Sequence, residues 1–133
     1  MSAFACPDLT GNFTCKYSDG SIVKVDISQQ LKGDVDIYTI NGSEIRADDQ
    51  TYSFPDDAAL KEGTLRAACN TADTLNGKII AKYYDNQTYF GDLTLDVAYS
   101  RAGNDLKQVA QGNLKGKNGQ DYPINVDVVC SRN

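Results

Sequence analysis

The stretch Phe13–Ser28, FTCKYSDGSIVKVDIS, sets two runs of alternating residues on either side of Ser18-Asp19-Gly20. Val23, Val25 and Ile27 alternate with Lys24, Asp26 and Ser28, so a strand through them has one dry face and one wet face. Ahead of the turn, Leu9, Gly11, Phe13, Cys15 and Tyr17 form the inward set, and Thr10, Asn12, Thr14 and Lys16 the outward one. Two half-buried strands joined by a Gly-containing turn read as a β-hairpin.

The pattern recurs along the chain. Val35 and Ile37 stand against Asp34 and Asp36, and Leu93, Leu95 and Val97 against Asp92, Thr94 and Asp96. Ile124, Val126, Val128 and Cys130 stand against Asn125 and Asp127. Turn residues separate the runs at Lys32-Gly33-Asp34, Asn41-Gly42, Asn76-Gly77, Asp85-Asn86, Gly103-Asn104-Asp105 and Asn118-Gly119. Strands are therefore expected near 9–17, 21–28, 34–40, 43–54 (broken near Asp48-Asp49), 64–70, 78–84, 88–100, 105–115 and 121–130. This is an all-β, antiparallel up-and-down meander of eight to ten strands. Such a meander hides its edges by closing into a barrel, the expectation adopted here, or by folding into a sandwich. The stretch Pro55–Gly63, PDDAALKEG, opens on proline and acids and ends on glycine, so it reads as one short helical segment or as an acidic surface loop.

At 133 residues the chain fits a single domain, residues 1–133, with no linker or repeat. No apolar run approaches the roughly 20 residues of a membrane span. The net charge of −5 and the scatter of 13 basic residues argue against a nucleic-acid partner. MSAFA lacks the charged and apolar regions of a signal peptide, so Met1 reads as a start placed before a mature sequence. Cys6, Cys15, Cys69 and Cys130 lack metal-site spacing, and no histidine is present; no metal or cofactor is expected. Four widely separated cysteines point to two disulfides and an exported protein, periplasmic or secreted, against the other reading of reduced, buried thiols. Three sequons, at Asn12, Asn41 and Asn86, matter only where the source glycosylates exported proteins.

The run Leu9-Thr10-Gly11-x-Phe13 resembles the Gly-x-Trp opening of the calycin barrels, the lipocalins and avidins. In that family a basic residue on the last strand packs over the aromatic, and Arg132 stands where the resemblance would place it. The resemblance implies an up-and-down barrel with an interior pouch for an apolar ligand. Phe13 replaces the usual tryptophan, and a chain without tryptophan has no avidin-type biotin walls. The overlapping run FTCKYSDGSIVKV resembles the opening of the C-type lysozyme inhibitor family, small disulfide-bonded barrels of exported bacterial proteins. Its inhibitory loop, bearing Ser and Lys, would correspond to Tyr99-Ser100-Arg101-Ala102-Gly103 or Lys115-Gly116-Lys117; neither reproduces the family pattern.

Barrel closure sets the first strand antiparallel to the last, which suggests Cys6 beside Cys130 and leaves Cys15 for Cys69. The two other connectivities stay open. Without histidine, a Ser or Cys nucleophile activated through it is excluded, and the pairs Asp34/Asp36, Asp48/Asp49, Asp56/Asp57 and Asp92/Asp96 fall at turns or on outward faces, where acids are solvated; no enzyme is expected. Tyr17, Tyr83 and Tyr99 fall on inward faces, Tyr38 and Tyr84 on outward ones. The phase of strand 105–115 is ambiguous, and one choice turns Gln108 and Gly112 inward beside Leu106 and Ala110. Phe13, Tyr17, Tyr83, Tyr99 and Gln108 are thus the ligand-binding candidates, as apolar bodies with a few polar handles. The expected function is that of a monomeric, non-enzymatic binding protein. It would take a small apolar ligand in the barrel or a secreted protein partner on the hairpin loops; the alternative is an inhibitor of a secreted hydrolase such as lysozyme.

Overall fold

A computed structural model describes residues 6–133; Met1–Ala5, where the expected start before a mature sequence falls, lie outside the described residues. Ten strands follow in chain order: β1 (Gly11–Lys16), β2 (Ile22–Lys32), β3 (Val35–Ile40), β4 (Ser43–Arg46), β5 (Thr51–Ser53), β6 (Leu60–Thr71), β7 (Thr74–Asp85), β8 (Thr88–Ala102), β9 (Asp105–Gly116) and β10 (Asp121–Arg132). They form one antiparallel sheet in the order β4-β3-β2-β1-β10-β9-β8-β7-β6-β5. Among the described residues there is no helix, and so none long and apolar enough to cross a membrane.

The first and last strands meet as the meander requires, with Phe13 opposite Arg132 and Thr14 opposite Ser131. The sheet opens elsewhere, because the consecutive strands β4 and β5 do not pair. Both are short, and the residues between them are tied to separate halves of the sheet: the Ala47 N–H donates to the Asp36 carbonyl on β3, and the Asp49 N–H to the Ala67 carbonyl on β6, at 2.9 and 2.8 Å. Arg66 holds Asp49 at 2.8 Å, and the Tyr52 hydroxyl donates to Asp48. The result is an open half-barrel instead of the closed barrel expected.

The core fills one end. Leu9, Phe13, Cys15, Val25, Ile27, Tyr38, Ala67, Leu75, Leu106 and Cys130 are buried together there. Full burial of side chains such as Leu9, Phe13 and Ile27 contributes about 1.5–3 kcal/mol each. The segment Cys6–Thr10 is drawn across this end by contacts with both halves of the sheet. The Tyr38 hydroxyl donates to the Pro7 carbonyl (2.7 Å), the Leu9 N–H to Gln29 Oε1 (3.2 Å), Arg101 Nη1 to the Asp8 carbonyl (2.9 Å) and Arg132 Nη2 to the Thr10 carbonyl (3.2 Å).

Several expectations are corrected. The disulfides are Cys6–Cys69 and Cys15–Cys130. The direction of β1 against β10 is as expected but the register is not: with Phe13 opposite Arg132, it is Cys15 that reaches Cys130, at a Cα separation of 4.2 Å. Cys6 lies five residues ahead of β1 and crosses to β6 instead. The stretch Pro55–Gly63 is not helical. The Asp57 carboxylate accepts the N–H groups of Ala59 and Leu60 (2.8 and 2.7 Å), and from Leu60 the chain pairs with β7. Too few residues lie between that turn and the sheet to nucleate a helix. Asn76-Gly77 is not a turn, since the β6–β7 connection is Ala72-Asp73 and Gly77 pairs with both Ala67 and Val97. In β3 the expected phase is reversed: Tyr38 faces the core, fully buried, while Ile37 is buried on the opposite face.

Candidate functional site

The longest strands, β6 to β10, continue past the packed end, and their inner face stays apolar beyond it. Tyr99, Val128, Leu75 and Ala67 pack in the core, which identifies the inner face, and strand alternation then places Val97, Leu95 and Leu93 of β8 on that same face. Their cross-strand partners are Gly77, Ile79 and Ala81 on β7 and Ala110, Gly112 and Leu114 on β9. Leu65 on β6 and Val126, Ile124 and Tyr122 on β10 extend the rows. None of these side chains carries a charge, and Leu65, Ile79, Leu95, Val97, Leu114, Ile124 and Val126 are only half-buried. The opposite face carries Lys78, Lys82, Asp92, Asp96, Lys107, Gln111, Lys115 and Asp127, all exposed.

Glycine shapes this trough. A Cβ at Gly112 would collide with the Thr94 carbonyl oxygen and the Leu95 Cα, so the close approach of β9 to β8 requires glycine there. Gly112 stands opposite Leu95 and Gly77 opposite Val97, so in each of these two rows one neighbour of β8 carries no side chain. Eight residues of β8, Phe90 to Val97, span the trough lengthwise, about 23 Å at strand rise.

Of the five candidate residues, the structure brings three together. The Tyr17 hydroxyl donates to Gln108 Oε1 at 2.7 Å, and Gln108 Nε2 donates to the Tyr99 hydroxyl at 3.0 Å. This relay marks the boundary between packed core and open trough, because Tyr99, Gln108 and Val128 form one cross-strand row and Val97, Ala110 and Val126 the next. Burial pushes the Tyr99 hydroxyl pKa up, so it remains a neutral hydrogen-bond donor at physiological pH. The ambiguous phase of β9 is decided: Gln108 and Gly112 point inward with Leu106 and Ala110.

The other two candidates lie apart. Tyr83 is at the far end of the trough, where Phe90 stands between it and Tyr122 at ring separations of 5.8 and 5.3 Å. Phe13 is fully buried, with the Arg132 guanidinium 5.0 Å above its ring. A Cβ at Gly11 would come within 2.6 Å of Arg132 Nη1, so the glycine leaves room for that guanidinium. Tyr84, expected outside, is half-buried, with the Lys61 ammonium 5.5 Å from its ring centre.

A second feature is a cleft of about 390 Å³ lined by Lys16, Tyr17, Ser18, Asp19, Ser21 and β10 residues Asn125 to Val128. It opens where β1 and β10 part beyond the Cys15–Cys130 bridge. The Asn133 N–H donates to the Asn12 carbonyl, so alternation aims the backbone of Val129, Asp127 and Asn125 at the same edge. Among the described residues no strand pairs with that edge below Ser131. Pro123, which has no N–H to offer, falls on it too.

Of the acidic pairs, Asp34, Asp36, Asp48 and Asp49 gather beside the Cys6–Cys69 bridge. The Asp49 carboxylate is held below its ordinary pKa by the hydrogen bond from Arg66. Among the described residues no group of His, Cys, Asp or Glu is placed to hold a metal ion. Sequence reasoning missed the concave face as a whole, although its half, the inward Leu93-Leu95-Val97 run, was visible. No family model matches this chain, and it shows no significant similarity to a curated protein or to a solved structure.

Proposed function

We propose that this protein is an exported, monomeric, non-enzymatic carrier that holds an elongated apolar molecule along the concave face of β6 to β10. The observation that carries this reading is the uncharged, half-buried inner surface of large apolar side chains, continuous from the Tyr17–Gln108–Tyr99 relay to the Tyr83–Phe90–Tyr122 group. An uncharged apolar face that the sheet leaves only half-buried offers a ligand of matching polarity further surface to bury. The two disulfides support an oxidising compartment. The Gly11, Phe13 and Arg132 arrangement supports the calycin-like relationship, with the trough in the place of a closed pouch.

The test is binding of the neutral dye Nile red, followed by its fluorescence. Leu95→Asp, on the concave face, is expected to weaken the dye at least tenfold, while Thr94→Asp, on the convex face, leaves it unchanged. Equal affinities in the two variants would refute the site. Native mass spectrometry of protein from its natural source adds a second readout, a copurifying mass of lipid size.

A second reading rests on the free edge of β10. A protein partner would add an extended segment to that edge, using the backbone groups of Asn125, Asp127 and Val129. A basic secreted hydrolase such as lysozyme suits the net charge of −5. Hydrogen-exchange protection of β10 amides on adding the partner would support this reading.

A further inference from the structure

We infer that the trough selects ligands carrying an uncharged hydrogen-bond acceptor, such as an ester or ketone carbonyl, at the end that reaches Tyr17, Gln108 and Tyr99. This rests on the carrier reading above and specifies the chemistry of its ligand.

The argument is a count of donors and acceptors. Gln108 has two amide hydrogens and one carbonyl oxygen, and each tyrosine hydroxyl has one hydrogen. Tyr17 gives its hydrogen to Gln108 Oε1, and Gln108 gives one of its two to the Tyr99 oxygen. The Tyr99 hydroxyl hydrogen and the second amide hydrogen have no partner among the described residues. With the amide turned over, the tyrosines exchange roles and the total is the same: one tyrosine O–H and one amide N–H without a partner. Both belong to half-buried side chains at the end of a surface that offers no acceptor on its side chains for two further rows. An apolar molecule lying in the trough would strip water from those two donors and leave them unsatisfied, a cost that a ligand acceptor removes.

The acceptor is uncharged because, among the described residues, no cation hydrogen-bonds to the relay. Lys16 and Lys107 adjoin Tyr17 and Gln108 in sequence but alternate to the opposite face, both exposed. Arg101, two residues from Tyr99, is turned to the Asp8 and Gly103 carbonyls at 2.9 and 3.3 Å. A carboxylate would lose its hydration here without gaining a counter-charge.

The experiment is displacement of bound Nile red from the unaltered protein at pH 8 by three C12 ligands: methyl laurate, laurate and dodecane. Methyl laurate is expected to compete about tenfold more strongly than either of the others, the scale of one to two hydrogen bonds. The triple variant Tyr17→Phe, Gln108→Leu, Tyr99→Phe, which removes every donor of the relay, is expected to bring methyl laurate down to the level of dodecane while the dye still binds. Equal competition by methyl laurate and dodecane, or tighter binding of laurate, overturns the inference and leaves the carrier reading standing. Failure of Nile red to bind at all overturns both. Because the ligand series is run on the unaltered protein, the result does not depend on the folding of any variant.

Discussion

Replacing both Cys15 and Cys130 by alanine removes the bridge at the one place where the first strand meets the last. The bridge closes a separation of 115 residues, and the chain-entropy relation assigns such a loop about 4.8 kcal/mol at 25 °C. The same relation gives about 4.3 kcal/mol for the 63 residues closed by Cys6–Cys69, so loop length alone barely separates the two bridges. The structure does separate them. Beside Cys15–Cys130 only two residue pairs join β1 to β10, whereas ten join β10 to β9. Cys6–Cys69 is backed by the burial of Leu9 and by the hydrogen bonds to the Pro7, Asp8 and Thr10 carbonyls.

Loss of Cys15–Cys130 is therefore expected to lower stability by about 5 kcal/mol, most of the margin of an ordinary domain. For 133 residues the unfolding entropy near 60 °C converts this to a fall of about 17 °C in Tm. Thermal melts followed by far-UV circular dichroism measure the shift, and hydrogen exchange should show β1 and β2 amides losing protection before those of β8 and β9. A fall of less than 5 °C, or uniform loss of protection across the sheet, would refute the view that this bridge holds the seam between the two halves.

Other perturbations follow from single contacts. Tyr38→Phe leaves the Pro7 carbonyl without its 2.7 Å donor in a buried site, and denaturant melts should show a loss of about 1–2 kcal/mol. Burial raises the Tyr38 pKa above its ordinary value of 10.0, so its folded form binds the proton more tightly than the unfolded chain does. Its contribution is intact below about pH 10 and is lost as pH rises beyond that, so absorbance at 295 nm should show Tyr38 ionising only with alkaline unfolding. Gly112→Ala is expected to destabilise severely, because the new methyl meets the β8 backbone, whereas Gly33→Ala, with nothing within 4 Å of its Cβ, should pay only the strain of its positive φ; thermal melts compare them. In lysozyme turbidity assays at micromolar protein, Arg101→Ala is expected to leave the rate of clearing where the unaltered protein puts it, because Arg101 is bound to the Asp8 and Gly103 carbonyls.

How much of the site was legible follows from its separate parts. Tyr17, Tyr99 and Gln108 could each be named from alternation, since a side chain's face depends on its immediate neighbours. Their union could not, because Tyr17 and Gln108 are 91 residues apart and meet only through the register of β1, β10 and β9. Tyr83 shares their face but sits at the opposite end of the trough, a distance that a parity rule does not measure. Tyr38 and Ile37 defeated alternation altogether, since β3 is covered on both faces and either phase looks apolar.

By itself the sequence determined the strands' approximate places, their antiparallel order, the meeting of the first with the last, and the break at Asp48-Asp49, but not the β6–β7 connection, where Asn76-Gly77 reads as a turn and lies within β7. These follow from period-two patterning and turn chemistry, which act over a few residues. Tertiary structure decided the disulfide partners, the opening between β4 and β5, the strand character of Leu60–Gly63 and the trough itself. Each of these depends on how far one strand slides along a neighbour distant in the chain, and a slide of a few residues leaves the local pattern unchanged while altering which side chains meet.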